Sequence, residues 1–98
     1  MKVQIKMAKI VATIKIMPTS PEIDLDKLEN EAKKKITDFS QNQEIKSEQE
    51  PVAFGLKAIK IIFVMEESKG SMDPLEEDIK TISGVNSVEV IDVRRAIG

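Results

Sequence analysis

The stretch Pro51-Val52-Ala53-Phe54-Gly55-Leu56-Lys57-Ala58-Ile59-Lys60-Ile61-Ile62-Phe63-Val64-Met65 decides the fold. Residues 56–65 form the longest apolar run in the chain. In an extended backbone Ile59, Ile61, Phe63 and Met65 share one side, and Leu56, Ala58, Ile62 and Val64 the other. A strand apolar on both sides belongs inside a sheet. Residues 51–55 read differently. Pro51 is a poor start for a central strand, and Gly55 admits backbone angles that other residues avoid. A bulge or tight corner is predicted there. That corner either turns Phe54 outward or lets it fold back into the core like Phe63. Phe54 is one of three aromatic residues in the chain.

Outward from this strand the pattern alternates between two periods. Residues 10–17 carry Ile10, Ala12, Ile14 and Ile16 on one face with Thr13 and Lys15 on the other, a half-buried strand. Pro18 and Pro21 end it in a stiff loop. Residues 24–39 read as a helix with Asp24 as its N-cap. Leu25, Leu28, Ala32, Ile36 and Phe39 form its apolar stripe, and Glu29–Lys33 and Glu31–Lys35 are favourable pairs one turn apart. Residues 44–49 alternate weakly and carry enough charge to be an outer strand. Residues 66–70 make a charged turn. Residues 73–83 read as a second helix, with Asp73 as cap, Pro74 in the first turn and Glu76 completing a capping box. Leu75, Ile79 and Ile82 are its buried stripe, and Gly84 is expected to end it. Residues 85–93 form the last strand around Val88 and Val90, followed by Arg94 and Arg95.

The order is strand, helix, strand, strand, helix, strand. It predicts an α+β, ferredoxin-like two-layer sandwich: a four-stranded antiparallel sheet with both helices on one face. The chain has 98 residues, enough for one domain with a single core. Residues 1–6 precede a second methionine, Met7, and are read as an N-terminal extension or expression remnant, with the domain spanning 7–98.

Composition excludes several chemistries. The chain has no cysteine and no histidine, so disulfides, thiolate chemistry, zinc sites built on those residues and imidazole catalysis are out of reach. The net charge is −2, and residues 1–43 carry 8 basic and 6 acidic side chains against 7 and 11 in residues 44–98. No basic stripe for nucleic acid emerges from that split. No run approaches the roughly 18 apolar residues of a membrane helix. A soluble cytoplasmic protein is expected, without cofactor, catalytic residue or metal. Asp73, Glu76, Glu77 and Asp78 stand together, but acids in a first helical turn are what the helix dipole favours.

Four segments carry a family resemblance. Residues 51–60, Pro-Val-Ala-Phe-Gly-Leu-Lys-Ala-Ile-Lys, resemble the signature of the archaeal translation elongation factor 1-beta family, and are similar to the catalytic domain of its eukaryotic relatives. Residues 11–18, 76–79 and 88–95 agree with it in order, so the resemblance covers Met7 to Gly98. It implies the same fold and a guanine nucleotide exchange factor, not an enzyme of covalent chemistry. The implied partner is the elongation factor 1-alpha GTPase, GDP-bound and nucleotide-free, with no direct nucleic-acid or membrane contact. The implied action is to destabilise bound GDP and Mg²⁺.

Two tools suit that task, a wedge and a cation. The resemblance makes Phe54 the wedge, with Gly55 as a geometric requirement and Lys57 beside the corner. The eukaryotic relatives are understood to use a lysine near the C-terminus as the cation. This chain departs from that pattern, ending Arg94-Arg95-Ala96-Ile97-Gly98. Arg94 and Arg95 are the nearest basic substitutes, and at most one faces the open sheet if the strand continues. A ligand-sensing or dimerising module of the same fold is the alternative. An RNA-binding domain lacks the surface aromatics for base stacking, and an acylphosphatase-like hydrolase lacks a glycine-rich basic phosphate loop.

Overall fold

A computed structural model describes residues 8–96. The elements are β1 (Lys9–Pro18), α1 (Leu25–Ser40), β2 (Ile45–Pro51), β3 (Lys57–Glu66), α2 (Asp73–Lys80) and β4 (Val85–Ala96). Short 3₁₀ turns, Ala53–Gly55 and Glu67–Lys69, flank β3. The strands form one antiparallel sheet in the order β2-β3-β1-β4, so the two most apolar strands are central. This is the ferredoxin-like arrangement that the order of elements implies. Residues 1–6 lie outside the described residues.

Alternation decides which side of the sheet becomes core. Ala12, Ile14 and Ile16 of β1 pair with Phe63, Ile61 and Ile59 of β3, and all six are buried. Leu28, Ala32 and Ile36 of α1 and Leu75 and Ile79 of α2 close over them. The opposite face carries Val11, Thr13 and Lys15 of β1 beside Val64, Ile62 and Lys60 of β3. Ile62 is among the exposed large hydrophobic residues. The second apolar row of β3 therefore packs against strand neighbours, with no third layer over it among the described residues.

The capping signals differ in outcome. Asp24 caps α1, accepting from the Lys27 amide at 3.2 Å. Asp73 does not cap α2. It is the first helical residue, Met72 holds the cap position, and Ser71 Oγ accepts from the Asp73 amide at 3.0 Å. The expected capping box is absent: Ser71 takes the Asp73 amide, and the Glu76 amide donates to the Met72 carbonyl at 3.0 Å. The helix stops at Lys80, short of residue 83, where Thr81 Oγ1 donates to the Asp78 carbonyl at 2.6 Å. Gly84 lies beyond that stop, in a left-handed turn (φ 94°) that leads into β4. Glu29 and Lys33 pair as expected, at 3.8 Å. Lys35 pairs with Asp78 of α2 at 3.1 Å instead of Glu31, because the packed helices bring that carboxylate within reach.

β4 carries an irregularity that fixes the facing of its last residues. Thr13 pairs with Asp92 while Ile14 pairs with Val90, so Ile91 is an extra residue, a β-bulge. Beyond it Val93 lies opposite Ala12 on the helix side, and Arg94 opposite Val11 on the open side.

Candidate functional site

Pro51 and Lys57 are the last paired residues of the β2–β3 hairpin, and residues 52–56 turn the chain. The Val52 amide donates to the Leu56 carbonyl at 2.8 Å, and the Leu56 amide to the Ala53 carbonyl at 3.2 Å. Between them Phe54 sits at φ 61°, ψ 32° and Gly55 at φ 74°. Two successive residues of positive φ make a type I′ turn, whose twist matches that of the flanking strands. Asn-Gly is the favoured pair for this turn. Gly55 fills its place for conformation alone, since a Cβ there would meet nothing within 4 Å. Phe54 fills the other place against its preference, at a cost of about 1–2 kcal/mol for a side chain in the left-handed region.

Among the described residues the ring recovers none of that cost. Phe54 is 93 % exposed, whereas Phe63 is 1 % exposed in the core. An exposed aromatic ring on a strained backbone is the kind of feature that the rest of a fold tolerates for a function. The sequence placed the corner at Gly55 but gave no sign that Phe54 itself adopts the left-handed conformation.

Lys57 is exposed and forms no ion pair among the described residues. It stands at the rim of a groove of about 250 Å³ between the hairpin and the β1–α1 loop. Pro18, Pro21, Ile23 and Leu25 line that groove, with Asp24, Asp26 and Gln49 as polar neighbours. The loop is tied to the start of β4 through the Thr19 amide, which donates to the Gly84 carbonyl at 2.8 Å. The sequence marked Pro18 and Pro21 as a stiff loop without indicating that this loop meets the hairpin.

Arg94 and Arg95 do not join this group. Antiparallel pairing sets the start of β3 at the far end of β1 from the end of β4. Ile59 pairs with Ile16 and Arg94 with Val11, so Lys57 and Arg94 are offset by about seven residues, roughly 23 Å along the sheet. The two arginines also differ from each other. Arg95 binds Glu67 with two short contacts, 2.8 and 2.7 Å, from one guanidinium nitrogen. Arg94 lies on the open face and, among the described residues, pairs only with Asp92 two residues back, at 3.0 Å. The five residues singled out from sequence thus form two surfaces, one at each end of the molecule.

A polar seam braces the hairpin. Ser47 Oγ donates to Glu29, and Gln49 Nε2 donates to Asp26 at 2.9 Å and Glu29 at 3.0 Å. Partial burial pulls the Glu29 pKa up, but the Ser47 and Gln49 hydrogen bonds and the Lys33 charge outweigh it, leaving the carboxyl below the ordinary glutamate value. Glu29 thus titrates as a structural brace between α1 and β2. Among the described residues no group of three or more His, Cys, Asp or Glu side chains is arranged to hold a metal ion. No helix there is long and apolar enough to cross a membrane.

A family model described as the EF-1 guanine nucleotide exchange domain matches residues 11–96, a span that includes both surfaces. Elongation factor 1-beta of Methanothermobacter thermautotrophicus is 40% identical over 89 residues, covering 91% of this chain and 98% of that protein. Elongation factor 1-beta of Methanocaldococcus jannaschii is 42% identical over 93 residues, covering 92% and 100%. The Methanobrevibacter smithii protein of the same name is 39% identical over 89 residues, covering 91% and 98%. With a domain-long match and relatives aligned along nearly their whole length, this chain belongs to the EF-1 guanine nucleotide exchange domain family.

Proposed function

We propose that this chain promotes the exchange of GDP for GTP on elongation factor 1-alpha during protein synthesis, with residues 7–98 as the exchange domain. It engages the GTPase in its GDP-bound and nucleotide-free states, in the cytoplasm, without direct contact to nucleic acid or membrane. The observation that carries this reading is Phe54, 93 % exposed on a left-handed backbone position that nothing among the described residues rewards.

The energetic task is large. A nanomolar GDP complex is held by about 12 kcal/mol. An exchange factor lowers that hold by binding the empty GTPase better than the loaded one, and linkage makes the effect reciprocal. A buried aromatic anchor contributes at least ~2 kcal/mol to such an interface when it fills a pocket on the partner. Phe54 is the anchor. The type I′ turn presents the ring already oriented, so little freedom is lost on docking. Gly55 holds the turn, and Lys57 adds positive charge beside it.

The cation works elsewhere. Arg94 is the better candidate because, among the described residues, its open-face guanidinium is held only by a neighbour in its own strand, while Arg95 is committed to Glu67. A separation of roughly 23 Å means that ring and guanidinium grip the GTPase at two places and act on different parts of it. The anchor supplies binding energy, and Arg94 offers positive charge to the acidic groups around Mg²⁺. No covalent bond changes in this scheme.

The test is release of a fluorescent GDP analogue from elongation factor 1-alpha. Micromolar chain is expected to accelerate release severalfold in proportion to its concentration. Unchanged release at saturating chain overturns the reading.

A further inference from the structure

The two edges of the sheet are built differently. β2 is short, with seven residues, and ends in Pro51, which lacks a donor for a further strand; open-face charges occur on both edges, Lys46, Glu48 and Glu50 on β2 and Glu89, Asp92 and Arg94 on β4. β4 has twelve residues, and among the described residues nothing pairs with its outer side. Its outer half also carries two of the exposed large hydrophobic residues, Ile91 at 42 % and Val93 at 49 %.

Val93 is uncovered for a geometric reason. It lies opposite the buried Ala12, on the helix side of the sheet. However, α2 has only eight residues, about 12 Å, against about 40 Å for β4. Burial falls along the strand as the helix runs out: Val88 is buried, Val90 half-buried, Val93 exposed. On the other face Asp92 and Arg94 stand two residues apart, an acid and a base symmetrically placed about Val93.

We propose that the outer edge of β4 pairs with the same edge of a second copy of this chain, antiparallel about a two-fold axis at Val93. In that register Val93 meets its own counterpart on the helix side, and Asp92 of each copy meets Arg94 of the other on the open side. Neighbouring registers that keep the faces aligned are worse. Centring on residue 92 sets Asp92 against Asp92, and centring on residue 94 sets Arg94 against Arg94. Directly opposed like charges destabilise a strand pair, whereas opposite charges and apolar pairs support it. The symmetry is that of an isologous dimer, with one patch used twice. The bulge at Ile91 limits the regular ladder, so the contact falls in the small, transient class of interface.

The experiment is sedimentation equilibrium on the full chain from micromolar to millimolar concentration, with circular dichroism to confirm folding of each variant. The wild type is expected to show a concentration-dependent dimer. Arg94→Asp alone, or Asp92→Arg alone, opposes like charges twice per dimer and is expected to weaken association at least about tenfold. The double exchange Asp92→Arg with Arg94→Asp restores the complementary pattern and is expected to return association to near the wild-type value. Val93→Lys, an edge substitution compatible with a folded monomer, is expected to abolish it. Three outcomes overturn the proposal: a monomer throughout the range, association indifferent to the single charge reversals, or a double exchange that does not rescue. Amide protection of β4 that appears only on adding elongation factor 1-alpha, with a monomeric chain alone, would assign the edge to the GTPase and overturn it as well.

Discussion

Replacing Phe54 by asparagine separates the two contributions of this residue, and it runs against the usual direction of mutational damage. The ring is 93 % exposed, so its removal uncovers no core and forfeits no burial. The backbone at φ 61°, ψ 32° costs phenylalanine about 1–2 kcal/mol. Asparagine tolerates that region well and is the preferred partner of glycine in a type I′ turn. A net gain of about 1 kcal/mol follows, and for a domain of this size it raises Tm by roughly 4–8 °C. Phe54→Ala is the matched control. Alanine keeps the backbone cost and removes the ring, so its Tm stays within a few degrees of wild type. Both variants lose an anchor of at least ~2 kcal/mol, equivalent to about a 30-fold fall in the efficiency of GDP release. The assays are thermal unfolding by circular dichroism and fluorescent GDP release from elongation factor 1-alpha. A large fall in Tm for either variant would mean that the ring packs inside the molecule. Unchanged release in both would remove Phe54 from the mechanism.

Three further substitutions test the rest of the site. Gly55→Ala is free of steric conflict but strained at φ 74°, and is expected to cost about 1–2 kcal/mol, read as a Tm lower by several degrees. Arg94→Ala is expected to slow GDP release more than Arg95→Ala, because Arg95 is already held by Glu67; equal effects would refute the distinction. Glu29 links stability to acid. Its folded pKa is lowered, so the stabilisation it provides is complete above the unfolded value near 4.3 and is lost as pH falls through the folded pKa. Urea unfolding as a function of pH is expected to show this loss, and Glu29→Gln to flatten it.

Most of the fold was legible because it rests on periodicity. Ile10, Ala12, Ile14 and Ile16 alternate at period two, and Leu28, Ala32 and Ile36 recur at helical spacing, so strand and helix are set by which side chains can be buried together. Asp24 was readable as a cap because a side-chain acceptor before an apolar stripe has few other uses. Asp73 carries a capping signal by residue type, but the helix begins one residue earlier: the Glu76 amide that an Asp73 cap would take donates to the Met72 carbonyl, and Ser71 Oγ accepts from the amide of Asp73 itself. Lys35 found Asp78 through the packing of two helices, a contact no local spacing encodes. The candidate site was legible as residues and not as an arrangement. Phe54 and Gly55 were marked by the corner, but the left-handed turn of Phe54 has no signature in residue type, since the favoured residue there is asparagine. The separation of Lys57 from Arg94 follows from strand pairing, which residue type and charge do not encode.

The supernumerary Ile91 gives the terminal arginines an unusual tolerance to change in chain length. Val90 and Asp92 already alternate correctly on either side of it, so a chain shortened by that one residue delivers Arg94 to the same face along a straighter strand. Loss of Val93 instead would invert the order and exchange the outlooks of the two guanidinium groups. Whether a one-residue deletion in this segment is silent or disabling is thus a question of parity, decided by which side of Asp92 it falls on.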